Sequence, residues 1–268
     1  MTENVLLAFS LTLLAGLATG IGSIIAFFTS TTNKRFLSIS LGFSAGVMIY
    51  VSMIEIFTKA KDALTSSLGN ENGSWMTVVG FFSGMFVIAL IDKFIPKQSN
   101  PHEPKNVEDM NQPVQDHDQH LMKMGIFTAL AIGIHNFPEG IATFTSALQD
   151  PGLGIAIAIA IAIHNIPEGI AVAVPIYFAT GDRKRAFKLS FLSGLSEPIG
   201  ALFAYLILMP FLNDIMFGLI FAGVAGIMVF ISLDELLPAA KKYDDGHYSI
   251  YGIVSGMAVM AVSLLLFI

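Results

Sequence analysis

Two stretches of this sequence repeat one arrangement of residue types that bind metal ions or carry protons. IGIHNFPEGIATF occupies 132–144, and IAIHNIPEGIAVA follows twenty-nine positions later at 161–173. If both are helical, His135 and Glu139 stand at i and i+4 and share a face, with Asn136 beside them at i+3 from the glutamate. His164, Asn165 and Glu168 repeat the arrangement. Imidazole with carboxylate is a ligand set that suits zinc, iron, manganese or cobalt, and the same groups can relay protons. Pro138 and Pro167 lack an N–H, so each frees the carbonyl four residues back and kinks a helix beside the polar groups. Gly140 and Gly169 permit close helix approach.

The surroundings of these motifs are apolar. Hydrophobic residues make up 54% of the 268 residues and charged residues 13%, with a mean hydropathy of +0.71, which excludes an ordinary soluble domain and leaves no basic surface for nucleic acid. A helix needs about 20 apolar residues to cross ~30 Å of hydrocarbon. Eight runs qualify: Val5–Phe28, Phe36–Phe57, Trp75–Ile95, Met122–Leu148, Leu153–Phe178, Ala186–Phe211, Ile215–Leu237 and Tyr248–Ile268. They are too long and too rich in Gly, Ala and Met for outer-membrane strands, so the expected fold is an all-α membrane protein, one transmembrane domain over 1–268. The first run spans 24 residues and lacks a basic leader, with Glu3 the one charged side chain ahead of it, and reads as a retained helix rather than a signal. Cysteine is absent, which excludes disulfides and thiolate ligation.

Lys and Arg tend to remain on the cytoplasmic side. Twelve of the fourteen fall in or beside alternate connections, at 34–35, 93–123, 183–188 and 241–242, leaving Lys59 and Lys61 on the other side. Both termini are therefore expected outside a plasma (bacterial inner) membrane, with the long 96–120 connection in the cytoplasm. That connection carries His102, Asp116, His117, Asp118 and His120, a tract that either captures metal weakly or is a solvated linker.

In this frame His135 lies about 13 residues into the fourth run and His164 about 11 into the fifth, roughly 17–20 Å from opposite faces, so both fall near the midplane. Glu197 joins them from the sixth run. A charge at the bilayer centre costs at least ~3 kcal/mol on insertion scales, and no Lys or Arg lies deep enough to neutralise three glutamates. Protons and metal ions remain as partners.

Weaker echoes link GLATGIGSIIAF (16–27) to GLSEPIGALFAY (194–205), and GVMIYVSMIE (46–55) to GIMVFISLDE (226–235), at offsets of 178 and 180. Together with the paired motifs they fit an inverted repeat, with helices 1–3 related to 6–8 and helix 4 to helix 5. The second echo pairs Glu55 with Glu235, beside Asp234, as candidate entry and exit carboxylates, or as ordinary interfacial charges. It also pairs Met48 with Met228, whose thioethers could line a path, although packing is the plainer role. GxxxG pairs such as Gly42/Gly46 and Gly252/Gly256 are compatible with a homodimer and equally with packing inside one bundle.

HNFPEG, HNIPEG and the SEPIGA of the sixth run resemble the ZIP (Zrt/Irt-like) divalent-metal transporters, specifically the bacterial zinc-uptake branch, over nearly the whole chain. That resemblance implies a two-metal transport site. His135, Glu139, His164 and Glu168 would hold the first ion. Asn136, Asn165 and Glu197 would hold the second, with Glu139 and Glu168 bridging. Some members carry an acidic residue at the position of Asn165, so the neutral amide bears on the second site's charge. The function expected is inward transport of divalent metal by alternating access, zinc first and also Fe2+, Mn2+, Co2+ or Cd2+, with no prosthetic group and no enzymatic activity. A proton-coupled carrier of an organic solute is the alternative. An intramembrane metalloenzyme fits less well, because neither HExxH nor Glu-x-x-His occurs among these residues.

Overall fold

The computed structural model describes residues 2–28, 33–94, 119–211, 213–244 and 246–266. The side chains of some helical residues, His135 among them, lie outside that description, as does most of the 96–120 connection with its His102, Asp116, His117 and Asp118. The described chain is helical almost throughout and forms eight rods. These are α1 (Thr2–Phe28), α2 (Lys34–Leu68), α3 (Asn70–Phe94), α4 (Gln119–Gln149), α5 (Pro151–Thr180), α6 (Arg183–Phe211), α7 (Asp214–Lys242) and α8 (Tyr248–Leu266). Among the described residues, seven are long and apolar enough to cross a membrane; the eighth, α4, has 31 residues. Large apolar side chains face outward, such as Phe82 and Phe86 of α3 and Leu265 and Leu266 of α8. With the interior already filled by other apolar groups, that pattern suits acyl chains as solvent and defines an integral membrane protein.

Local chemistry sets the rod ends. Asn33, Asp182 and Asn213 cap α2, α6 and α7, each accepting a backbone N–H of the first turn. Asp150 caps α5 through Gly152 N and Leu153 N at 2.9 and 3.3 Å, with Pro151 opening the helix. The turn from α4 to α5 is consequently one residue long. Gly181 closes α5 with φ +67° and Gly69 closes α2 with φ +81°, conformations that suit glycine.

Most rods begin or end two to five residues beyond the apolar runs, because capping turns are polar. The large difference is α2, which the apolar pattern ends at Phe57 and the structure carries to Leu68. Its last three turns are mostly half-buried or exposed but bury Ala60 and Leu64, and Lys59 pairs with Glu55 at 3.5 Å one turn back. The apolar pattern also gave no sign of π-helical turns at Val51–Ile56 in α2, Ala204–Leu208 in α6 and Ser232–Leu236 in α7.

The rods sort into two sets. α1, α4, α5 and α6 pack chiefly on one another, α2, α3, α7 and α8 do likewise, and fewer contacts join the sets. Glycines set the closest crossings. A Cβ on Gly169 would overlap the Thr19 carbonyl oxygen and one on Gly22 that of Ile166, where α5 crosses α1. A Cβ on Gly140 or Gly200 would overlap the Glu197 or Phe137 carbonyl oxygen, where α4 crosses α6. In lipid such backbone approach replaces the hydrophobic drive available in water.

Candidate metal centre

Six of the seven expected site residues have described side chains, and all six are buried. Asn136 and Glu139 of α4, His164, Asn165 and Glu168 of α5, and Glu197 of α6 are each at most 4% exposed. The backbone of His135 belongs to the same helix as Glu139, one turn before it. α4 runs through Pro138 and α5 through Pro167 without a break in helix.

His164 joins the two motifs. Its Nε2 lies 3.2 Å from Glu139 Oε1 on α4 and 4.0 Å from Glu168 Oε1 on its own helix. Donor atoms around a tetrahedral zinc with ~2.0–2.1 Å bonds lie about 3.3 Å apart, so the first spacing matches a shared ion and the second is slightly wide. With that arm open, no three His, Asp or Glu side chains among the described residues are gathered closely enough to hold an ion as they stand.

The asparagines act through their amides. Asn165 Nδ2 donates to the Ala15 carbonyl of α1 at 2.9 Å and to Glu197 Oε1, tying α5 to two neighbours. Asn136 Nδ2 donates to the Ser193 carbonyl of α6 at 3.4 Å. Both Asn Oδ1 atoms are buried and accept no hydrogen bond. An orphaned buried acceptor is costly, and a bound cation is one way to satisfy it. Neutral amide oxygens beside carboxylates and imidazole make a donor set that fits a divalent ion.

The pathway candidates lie in the other helix set. Met48 and Met228 are 0% and 1% exposed and belong to the apolar core, which favours their packing role. Glu55 sits half-buried in the first π turn, paired with Lys59. Glu235 is half-buried and Asp234 exposed in the π turn of α7. Sequence reasoning missed a cavity of about 370 Å³ bounded by Lys59, Asp62, Gln149 and Asp214, at the face carrying the α2–α3, α4–α5 and α6–α7 links. A smaller cavity of about 130 Å³ adjoins it and reaches Thr145 on α4. Sequence reasoning also missed the buried hydroxyls Thr19, Ser23 and Ser190 that surround the α5 motif. One overlooked signal is numerical: Glu139, Glu168 and Glu197 fall at equal intervals of 29 residues.

A multi-helix membrane bundle with carboxylates, imidazole and amides buried together in its interior defines the transporter class, since such groups in lipid mark an ion or substrate path. The family model described as ZIP zinc transporter matches residues 92–264, and the chain belongs to that family. It is 76% identical over the full length of both chains to a protein called zinc transporter ZupT from Lysinibacillus sphaericus. Identity is 73% to the ZupT of Oceanobacillus iheyensis, covering 98% of this chain and 99% of that one. The ZupT of Clostridium perfringens is 61% identical over 99% and 98%.

Proposed function

We propose that this protein carries zinc, and more weakly other divalent transition-metal ions such as Fe2+, Mn2+, Co2+ and Cd2+, into the cytoplasm across the plasma membrane by alternating access. The observation that carries the reading is His164 set between Glu139 and Glu168, buried in a membrane bundle at a spacing near that of zinc ligands. Family membership and the names of the relatives supply the ion. His135, Glu139, His164 and Glu168 hold the first ion; Asn136, Asn165 and Glu197, with the two bridging glutamates, hold the second. Both termini face outside, so the Asp62/Asp214 cavity is the outer vestibule.

An inverted repeat supplies the two access states. Several matched features support it. The Gly22/Gly169 crossing of α1 and α5 has its counterpart in the Gly200/Gly140 crossing of α6 and α4. The approach of Gly46 to Ile253 between α2 and α8 is matched by that of Gly226 to Phe81 between α7 and α3. The π turns at Val51–Ile56 and Ser232–Leu236 fall at the same offset, bringing Glu55 and Glu235 into register. Movement of the α1/α4/α5/α6 set, which holds every ligand, against the other four rods turns the site from one side to the other.

Metal uptake by proteoliposomes is the test. Purified protein should load zinc, with Glu139→Ala and Glu168→Ala each abolishing uptake while inserting normally. Vesicles that take up none of the five metals would refute the reading, and near wild-type rates in both variants would move the site elsewhere. Competition among the five metals ranks preference.

A further inference from the structure

The two halves of the site are fastened very differently. On the α5 side, Asn165 is tied to α1 and α6 through Ala15 and Glu197. One turn along, Ser23 Oγ of α1 lies 2.6 Å from Ser190 Oγ of α6. These hydroxyls lie 3.3 and 3.4 Å from the carbonyl oxygen of Gly169, the glycine that ends the second motif. Each has one proton, so one hydroxyl donates to the other and the second donates to the Gly169 carbonyl, with the Thr19 carbonyl of α1 also 3.3 Å from Ser23 Oγ. Both serines are fully buried.

Among the described residues, the α4 side lacks this clasp. The echo offset of 178 places Ala201 opposite Ser23 and Thr12 opposite Ser190. Ala201 has no hydroxyl, and the Thr12 hydroxyl turns back to Ala8 O of its own helix at 2.8 Å. Apolar Ala8, Ile141, Phe144 and Ala201 pack there instead, with Phe9 against Phe144. The Asn136 amide reaches α6, among the described residues, through one long bond of 3.4 Å, to the Ser193 carbonyl. In a bilayer, separating apolar faces costs little because lipid tails replace the lost contacts, whereas pulling apart a buried hydroxyl chain strands polar groups in hydrocarbon.

We propose that Ser23 and Ser190 are positioning residues which hold the α5 half of the site fixed against α1 and α6, so that the site closes on and releases its ion by movement of the α4 half. The identity of the ion rests on the transport reading above; the asymmetry of the two halves does not.

Hydrogen exchange of the full chain in lipid nanodiscs, stripped of metal, tests the asymmetry directly. Peptides covering 136–147 of α4 should exchange at least about tenfold faster than those covering 165–176 of α5, the factor that roughly one net hydrogen bond supplies. A Ser23→Ala/Ser190→Ala double variant should bring α5 up to the α4 rate. In proteoliposomes it should raise the zinc KM about tenfold with Vmax held within about twofold, because ligands must then be ordered on binding. Equal or faster exchange in α5 of the unmodified protein overturns the proposal, and so does a double variant with both exchange and KM unchanged. If that variant does not fold, the unmodified protein decides alone. Added zinc should slow α4; failure of zinc to alter exchange anywhere counts against the transport reading, while the metal-free ratio still decides the clasp.

Discussion

Replacing Asn165 with alanine removes two interhelical bonds at once, one to a neutral carbonyl and one to a carboxylate. Hydrogen bonds between membrane helices average ~0.6 kcal/mol and reach ~1.7 each, so two lie within about 1–3 kcal/mol. The expected cost is therefore about 2 kcal/mol, or roughly a thirtyfold rise in the unfolding constant. Asn136→Ala is the internal control, because it deletes a similar amide whose one bond, at 3.4 Å, is longer than a good N–H···O contact. It should cost about 0.5 kcal/mol, scarcely more than a twofold change. Reversible unfolding of the metal-free protein in mixed micelles, followed by far-UV circular dichroism against the mole fraction of denaturing detergent, measures both. An Asn165→Ala protein within about 0.5 kcal/mol of the unmodified chain would show that the amide anchors nothing. An Asn136→Ala protein as unstable as Asn165→Ala would remove the asymmetry on which the proposed movement of the α4 half depends.

Gly169→Ala and Gly140→Ala each press a methyl group into a neighbouring backbone carbonyl, and both should yield little folded protein by size-exclusion chromatography; a monodisperse, zinc-transporting Gly169→Ala protein would contradict the α1–α5 crossing. Asp244, in the link between α7 and α8, accepts from the Ser249 hydroxyl and from the N–H groups of Gly246, Tyr248 and Ser249. The Ser249 hydrogen bond, helped by the backbone donors against partial burial, lowers its pKa from 3.8 to about 2. A carboxylate with a depressed folded pKa contributes stability above its unfolded value and loses it as pH falls through the folded one. The thermal midpoint should thus fall between pH 4 and pH 2, and Asp244→Ala should abolish that part of the dependence; an unchanged pH profile in the variant would count against the cap.

How much of this was legible beforehand depended on whether the signal lay in one residue's chemistry or in the meeting of several. Burial of Glu139, His164, Glu168 and Glu197 followed from their place in long apolar runs, and the rods followed from the same runs. The last turns of α2 did not, because Thr58–Ser67 is polar by composition and helical only through the few side chains it buries, Ala60 and Leu64. π turns leave no hydropathy trace, since they change backbone register without changing which residues are apolar. Ser23 and Ser190 were invisible for another reason. Serine is unremarkable in a membrane helix, and its role arises only when residues 167 positions apart are brought to 2.6 Å. The proposed ligand set was readable as residue types, whereas the wide spacing between His164 and Glu168 is a matter of rotamers that no spacing rule specifies.

The one-residue link at Asp150 also has a bearing on biosynthesis. α4 and α5 are made in succession after α1, so the His164–Glu139 contact, 25 residues apart, can form before α6 exists. Glu197 follows Glu168 by another 29 residues, about 1.5–6 s later at ~5–20 residues per second. The three carboxylates are therefore delivered to the translocon one per helix, in sequence, and never as a cluster. When Asn165 is made, its Ala15 partner is already present and its Glu197 partner is not. α6 is then the element that completes the proposed site, and a chain interrupted before Glu197 would carry the hairpin without its third acid.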